Sequence, residues 1–523
     1  MSTNATSPVL KPIDLVHHLR CGVQHIYASL DRTRGCRPYF RWDPIGGSAS
    51  HSVNDTPHVV GRYLDVLGLC AGIFDMPIDA QAVRGLTRLL EKSFSLGRGF
   101  AWSDVPWPKD QKGPCALMHD QREALLALIA LKTWRRSRRA ETLVDRLLER
   151  IDRTTRKTGR YPGVALSKKG WTKWPEGADL NTTTTTGRLI GALVKYHRVS
   201  GSPLALTLAR RFADDQIENC FDSAGRPLEP AGTHMHSICG TCSGLIDLGR
   251  IEHDYSYVEA GKRIFDVGIA PYRTSYGWVK ETRNGANGRG EPNNTADLVE
   301  AALYLGQSGY PAYFEDAETM VRNLLVRCQI FRTDWVGDGG GRPDTTETMY
   351  RGLRSRIRGA FYFPTPNDFH SYNTDLTGAV MQGLCETWQS IYREDGGRIH
   401  VDLLLSKKDE QIEIESRLPR SGVVRIRPKR SVRSVAVRIA PWINRTKLRA
   451  TIGGRKAEGH FHGHYLVFGA LPRQSNLTLK FNLPQTATTQ RAAGWPDLYH
   501  LRWRGNTVVS IRPQGRICPL FAS

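Results

Sequence analysis

Two histidines two residues apart, His234 and His236, open a helix-forming run. The same habit returns at His51 and His58, and again at His119, where Asp120, Gln121, Arg122 and Glu123 follow directly. An imidazole donates through one nitrogen, accepts through the other, and gains a proton close to neutral pH. One histidine at a helix start is usually a cap or a core residue; three helix starts with this habit describe a rim suited to binding hydroxyls or a carboxylate. A second set, Tyr350, Arg351, His370 and Tyr372, suits a different chemistry. There a tyrosine or histidine takes the proton α to a uronate carboxylate while arginine neutralises the charge that develops. Cys239-Gly-Thr-Cys242 is the single C-x-x-C of the chain. It lies inside a helical pattern with no second pair, and its spacer suits close packing, so neither a metal nor a cofactor is expected. Trp102, Trp107, Trp171, Trp174 and Trp278 can stack on sugar rings, or equally fill a core.

These residues need a scaffold that gathers helix starts, and the hydrophobic pattern supplies one. Helical hairpins recur at about 58–95, 119–153, 184–217, 233–266 and 295–325, with apolar residues at helical spacing on each partner. Short breakers such as Ser200-Gly-Ser-Pro203 and Ser308-Gly-Tyr-Pro311 separate the partners, and longer polar loops precede the first helix of each pair. A last helix, 376–392, has the N-terminal segment 12–31 as its expected partner, closing the ring. From about His400 the period changes to two, in short strands broken by Gly, Pro and Asn. The expected fold is mainly α: an (α/α)6-type toroid over residues 1–395, then an antiparallel β-sandwich over 396–523. The alternating Arg425, Arg427, Arg433 and Arg438 read as solvated outer faces, with a binding surface for acidic glycan as the alternative.

The chain has 523 residues, 40% of them hydrophobic, with 12 Trp, 18 Tyr and 16 Phe, enough for a packed core and incompatible with global disorder. Its formal net charge of +22 suits an anionic partner, unless it reflects only arginine-rich solvated faces. No nucleic-acid-binding motif accompanies that charge, so neither nucleic acid nor membrane is an expected partner. Ten scattered cysteines in a chain of this size read as reduced and mostly buried. With no signal-peptide pattern and no apolar run of membrane-spanning length, the expected location is cytoplasmic.

A helical toroid followed by a β-sandwich resembles the six-hairpin glycosidases, and among them the β-L-arabinofuranosidases of glycoside hydrolase family 127 and their relatives. His234-Met235-His236-Ser237, with the tail from Gly244 to Asp266, is similar to a family hairpin that opens His-Ala-Asn-Thr. The stretch 387–406 resembles the family's passage from last helix to first sandwich strand, and 434–445 one of its strands. The resemblance implies a sugar-binding role for His234 and an acid/base role for Glu281. It also implies a zinc ion held by a Glu-Thr-Cys motif and a Cys-Cys pair, one cysteine being the nucleophile. This chain departs there. It reads Asn294-Thr295-Ala296 at the first place and His370-Ser-Tyr-Asn-Thr-Asp375 at the second, without any thiol. Cleavage without a thiolate commonly uses two carboxyl groups. Glu281, in a long loop near Trp278, is the candidate acid because burial there would keep it protonated. Asp375, where the family keeps its cysteines, is the candidate partner, although aspartate at a helix start also serves as a cap; Asp368, Glu291 and Glu347 are rivals. The resulting expectation is a glycoside hydrolase acting on an acidic or arabinose-containing oligo- or polysaccharide. Its binding residues would be His58, His119, Asp120, His234, His236, Trp278, Tyr350, Arg351, His370 and Tyr372. A uronate lyase, or a non-catalytic glycan-binding protein, is the alternative.

Overall fold

A computed structural model describes residues 11–95, 98–105, 114–168, 182–285 and 288–521. Its helices in chain order begin with α1 Leu15–Ala28, α2 His58–Ala71, α3 Ala80–Ser93, α4 Asp120–Thr133, α5 Arg138–Thr155, α6 Gly163–Lys168 and α7 Leu189–Ser200. They continue with α8 Pro203–Asn219, α9 Met235–Glu252, α10 Tyr255–Arg263, α11 Pro292–Gln307, α12 Tyr313–Met320, α13 Leu353–Arg356 and α14 Asp375–Gln389. Six of them, α2, α4, α7, α9, α11 and α14, pack each on the next, and α14 closes on α2. The outer partners are α3, α5, α8, α10 and α12, with α1 lying against α14. The first helix thus completes the last hairpin, as the pattern predicts.

Composition decides which helix lies inside. α4 is buried at every position from Asp120 to Leu131, α9 from Met235 to Gly249, and α11 from Pro292 to Gly306. A helix that is apolar or small all round belongs in the interior. α5 buries only one stripe, Ala140, Leu143, Val144, Leu147, Leu148 and Ile151, and so takes an outer place. Glycine allows the closest approach inside the ring: a Cβ on Gly61 of α2 would stand 2.5 Å from the Glu123 carbonyl oxygen of α4.

The helix starts divide in the same way. Five outer helices are capped by a side chain: Asp14, Asp79, Ser137, Ser202 and Asp254 each accept a hydrogen bond from a first-turn backbone N–H. The residues opening the inner helices, Pro57, His119, Arg188, His234, Glu291 and Thr374, make no such bond. Except in α7, which continues from the helical turn Thr183–Gly187, these first turns carry the partial positive charge of a helix N-terminus with no side chain capping it.

A five-stranded sheet, unforeseen in the sequence, lies on the same side of the ring. Its order is Thr348–Met349, Ser48–Ser50, Arg41–Asp43, Phe369–Asn373, Phe363–Pro364, and Trp42 pairs with Tyr372 across it. Helix gives way to strand after Gln389. The β region has a six-stranded sheet, a five-stranded sheet and a three-stranded meander over Gln485–Arg491, Leu498–Arg504 and Thr507–Arg512. It is not wholly antiparallel, because Ser434–Arg438 runs parallel to Arg398–Val401. Glu413 opposes Arg427 and Glu415 opposes Arg425 in partly exposed cross-strand ion pairs. Arg438 corrects the reading of a solvated outer face: it is 2% exposed and turned into the toroid. All ten cysteines are free, and eight of them are buried. Among the described residues no helix is long and apolar enough to cross a membrane.

Candidate active site

The first turns of the inner helices meet in a ring of charged and polar side chains. His58, the first residue of α2, places Nδ1 3.0 Å from Asp120 Oδ1 on α4 and Nε2 3.7 Å from Asp375 Oδ2 on α14. His119 Nε2 lies 2.8 Å from the same Asp120 oxygen. Burial alone would discharge the His58 imidazole, but Asp120, Asp375 and Glu123 outweigh it and lift its pKa to about 9. Asp120, opposed in turn by burial and favoured by His119 and His58, falls to about 2. Asp375 also sits below the usual carboxylate range, because His58, Arg62 and Asn293 overcome the cost of burying its charge. Its Oδ2 accepts from Asn293 Nδ2 at 3.4 Å, while Oδ1 has no hydrogen-bond partner.

Across the ring, His234 Nε2 is 3.2 Å from Glu291 Oε2, and its Nδ1 is 2.9 Å from Ser237 Oγ. His236 stands beside the same carboxylate, Nδ1 to Oε1 3.7 Å, with Nε2 3.2 Å from Asp297 Oδ2. Asn293 Nδ2, which also donates to Glu291 Oε1 at 2.9 Å, joins the two halves of the ring. Beneath them Glu123 Oε1 receives Arg188 at 2.7 Å and Arg62 and Arg122 at 3.1 Å each. Burial would protonate Glu123, yet these three guanidiniums hold it well below the ordinary range. Asp297 is left with weaker compensation from Arg122 and Arg188, and burial with Glu300 nearby raises it to about 7.

Of the residues expected from sequence, His58, His119, Asp120, His234, His236 and Asp375 therefore share one site. Glu281 lies at its edge, with its carbonyl accepting from Met235 N–H at 2.9 Å. Its carboxylate is gripped by Arg289 through Nε and Nη2, which also brings Ser371 within 3.3 Å of Arg289 Nη1. A bidentate guanidinium stabilises the anion, the opposite of the burial effect expected beside Trp278. Trp278 itself is fully buried, its indole N–H donating to Pro364 O, and offers no face to a sugar. Tyr372 is likewise buried, hydrogen-bonded to His25 and Thr377 behind the rim sheet. These two expected contacts with substrate are corrected. His370 is exposed next to Ser371, close enough to Arg289 and Glu281 to feel both charges. Tyr350 stacks on Arg342, and the backbone N–H groups of Tyr350 and Arg351 donate to Asp344. Burial of Tyr372 removes one tyrosine from the expected proton-abstracting set of Tyr350, Arg351, His370 and Tyr372. Among the rivals, Asp368 accepts from the backbone of residues 516–518 and Glu347 pairs with Arg34, whereas Glu291 belongs to the site.

The zinc–thiolate set implied by the resemblance does not fit. Asn294 spends its Nδ2 on Lys280 O, Ala296 has no donor atom, and Asp375 is engaged with His58 and Asn293. Cys239 and Cys242 are fully buried in α9, and burial pushes both thiols up, so they stay protonated. Trp102 is buried, and Trp107, Trp171 and Trp174 lie outside the described residues. The sequence reading missed Arg289, Asn293 and Asp297, and it named Arg122 and Glu123 only as part of a polar set, without their ion cluster. Glu123 and Asp297 carried a signal, being charges inside continuous apolar helices; Arg289 carried none.

No family model matches the chain, and no curated protein is similar to it in sequence. Solved structures are similar. A GH127 β-arabinofuranosidase aligns over 94% of this chain and 80% of its own, with 14% identity and a TM-score of 0.62. A GH127 β-L-arabinofuranosidase from Geobacillus stearothermophilus aligns over 96% and 81%, at 14% identity and a TM-score of 0.55. A third structure, described as a glycoside hydrolase, aligns over 92% and 84%, at 11% identity and a TM-score of 0.56. At such identities the likeness is one of fold, and on that ground the chain has the six-hairpin toroid and β-domain architecture of these glycosidases.

Proposed function

We propose that the chain is a glycoside hydrolase whose cleft is the rim of the inner ring, with Asp375 as nucleophile or base and Glu281 as proton donor. Asp375 carries the reading. It opens an inner helix, is kept ionised by His58, Arg62 and Asn293, and retains one oxygen without a hydrogen-bond partner. That oxygen is buried in the free chain; once substrate reaches it, a carboxylate in that state can attack an anomeric carbon or take a proton from water. The likeness in fold to proteins described as glycosidases supports the reaction class. Glu281 must gain a proton to act, and Arg289 opposes this. The carboxylate of an acidic sugar would compete for the same guanidinium and release Glu281 into a cleft from which the sugar also displaces water. The substrate class we infer is therefore a uronate-bearing oligosaccharide, drawn in by the uncapped helix starts and the chain's excess of positive charge.

The test compares wild type, Glu281→Gln and Asp375→Asn on uronate-containing and arabinose-containing oligosaccharides. Reducing ends and the absorbance of unsaturated uronates are followed together. The expected result is new reducing ends from the uronate series without new absorbance, with either variant slower by about 10²–10⁴-fold. New absorbance would make the chain a lyase, cleavage confined to the arabinose series would remove the acidic substrate, and no cleavage at all would sink the hydrolase reading.

A further inference from the structure

His234, His236 and Glu291 form a group whose arrangement the proposed hydrolysis does not use. One nitrogen from each imidazole and the Glu291 carboxylate lie within 4.8 Å of one another. His236 Nδ1 is 3.7 Å from Glu291 Oε1, too long for a hydrogen bond, and His234 Nε2 is 3.2 Å from Oε2. Adjacent donors around a tetrahedral ion with bonds of 2.0–2.1 Å are separated by about 3.3 Å, and the two imidazole nitrogens stand near that distance from the Glu291 oxygens they face. The outward atoms are arranged to match. His234 Nδ1 faces Ser237 Oγ at 2.9 Å, His236 Nε2 faces Asp297 Oδ2 at 3.2 Å, and Asn293 donates to Glu291. Metal-binding histidines characteristically direct the second ring nitrogen at a carboxylate or other acceptor, and metal-binding carboxylates are themselves hydrogen-bonded.

A further observation points to a ligand. His236 Nε2 and Asp297 Oδ2, both buried, have no hydrogen-bond partner as they stand, and a small ring rotation toward an ion would make each the partner of the other. In the neighbouring group of His58, His119 and Asp120 both imidazoles already close on one Asp120 oxygen, at 3.0 and 2.8 Å, so that oxygen is spent on them. We propose that His234, His236 and Glu291 bind one divalent transition-metal ion, zinc being the best match to two imidazoles and a carboxylate. The side chain of His234 is 33% exposed, which leaves a coordination position facing the cleft for water or a sugar hydroxyl. None of the three ligands occupies the positions of the zinc–cysteine set that the chain lacks.

The full chain, stripped with chelator, is dialysed against Zn²⁺ and separately against Co²⁺, and bound metal is counted by elemental analysis. One equivalent per chain is expected. The cobalt form should show ligand-field bands without the sulfur-to-metal charge transfer that Cys239 or Cys242 would produce. His234→Ala should weaken binding by more than about 100-fold and Asp297→Asn by about 10–100-fold, while Cys239→Ser with Cys242→Ser leaves it unchanged. Melting curves without metal establish that each variant is folded. Should His234→Ala fail to fold, Asp297→Asn and the wild-type cobalt spectrum decide. Absence of binding by wild type at millimolar metal, a thiolate spectrum, or binding unaltered in folded His234→Ala and Asp297→Asn would overturn the site. Metal is counted without any sugar present, so this result and that of the hydrolysis assay stand apart.

Discussion

His58 lies between two carboxylates on different helices, Asp120 and Asp375, and its charge holds that side of the ring together. The raised pKa gives stability a direction with pH. Between the ordinary value of 6.5 and about 9 the folded chain binds a proton at His58 that the unfolded chain has released. Its contribution is complete below about 6.5, shrinks across the interval and is lost above about 9. Thermal unfolding followed from pH 6 to 10 should show wild type losing on the order of 3 kcal/mol relative to His58→Gln, whose profile lacks this component. Parallel profiles would mean that His58 is not charged in the fold. How much of the site was legible differs from residue to residue. The histidines were visible because helix starts are visible, and the toroid brings helix starts together. Glu281 was visible as a loop carboxylate but its state was not. That state is set by Arg289, eight residues later, across a turn that no periodicity announces. Trp278 and Tyr372 were misjudged for a related reason: an aromatic side chain reads alike whether it faces a cleft or a core.

The inner helices were legible as elements because their apolar pattern runs on all sides, and the hairpins because Gly, Ser and Pro punctuate them. The rim sheet was not. Its strands are two to five residues long, too short for alternation to register, and they come from segments about 300 residues apart. What the helices need beyond pattern is close approach, and Gly61 measures it. A methyl group there would meet Glu123 O at 2.5 Å and Glu123 Cβ at 2.9 Å, forcing α2 away from α4 just below His58 and Asp120. Gly61→Ala should cost about 1–3 kcal/mol through overpacking, despite alanine's better helix propensity. At Gly469, in the β region, a methyl group would meet no atom within 4 Å, and Gly469→Ala should stay within about 0.5 kcal/mol. Denaturant midpoints of the two variants against wild type decide; equal midpoints would mean that the two inner helices have slack to yield.

At the scale of the whole molecule, charge has two unlike uses. Most of the arginine excess lies at partly or fully exposed positions, where the cross-strand pairs of Arg425 and Arg427 with glutamate contribute little to stability. Arg438 belongs to the same alternating run, and the run alone cannot tell an outer face from one that meets another body. Its guanidinium reaches Glu315 and Glu318 of α12 at 2.7 Å each and donates to Asp402 O, while Glu318 also accepts from the Leu404 backbone N–H at 2.8 Å. Arg322 in turn donates to Leu404 O at 2.6 Å. Toroid and β region are therefore joined through a buried ionic network whose glutamate, Glu318, is wholly shielded from solvent. Arg438→Met removes one cation from that network and leaves Glu318 with Arg322 as its cation, beside the neutral donors Leu404 N–H and Asn506. Breaking a buried pair in this way typically costs about 3–5 kcal/mol, and because the network links the two parts, the loss should also uncouple their unfolding. Calorimetry is expected to give one transition for wild type and for Arg433→Met, an exposed member of the same run. Arg438→Met should unfold at lower temperature and in two steps. If Arg438→Met instead melts as Arg433→Met does, the apolar contacts between toroid and β region hold them together and the buried charges are incidental to it.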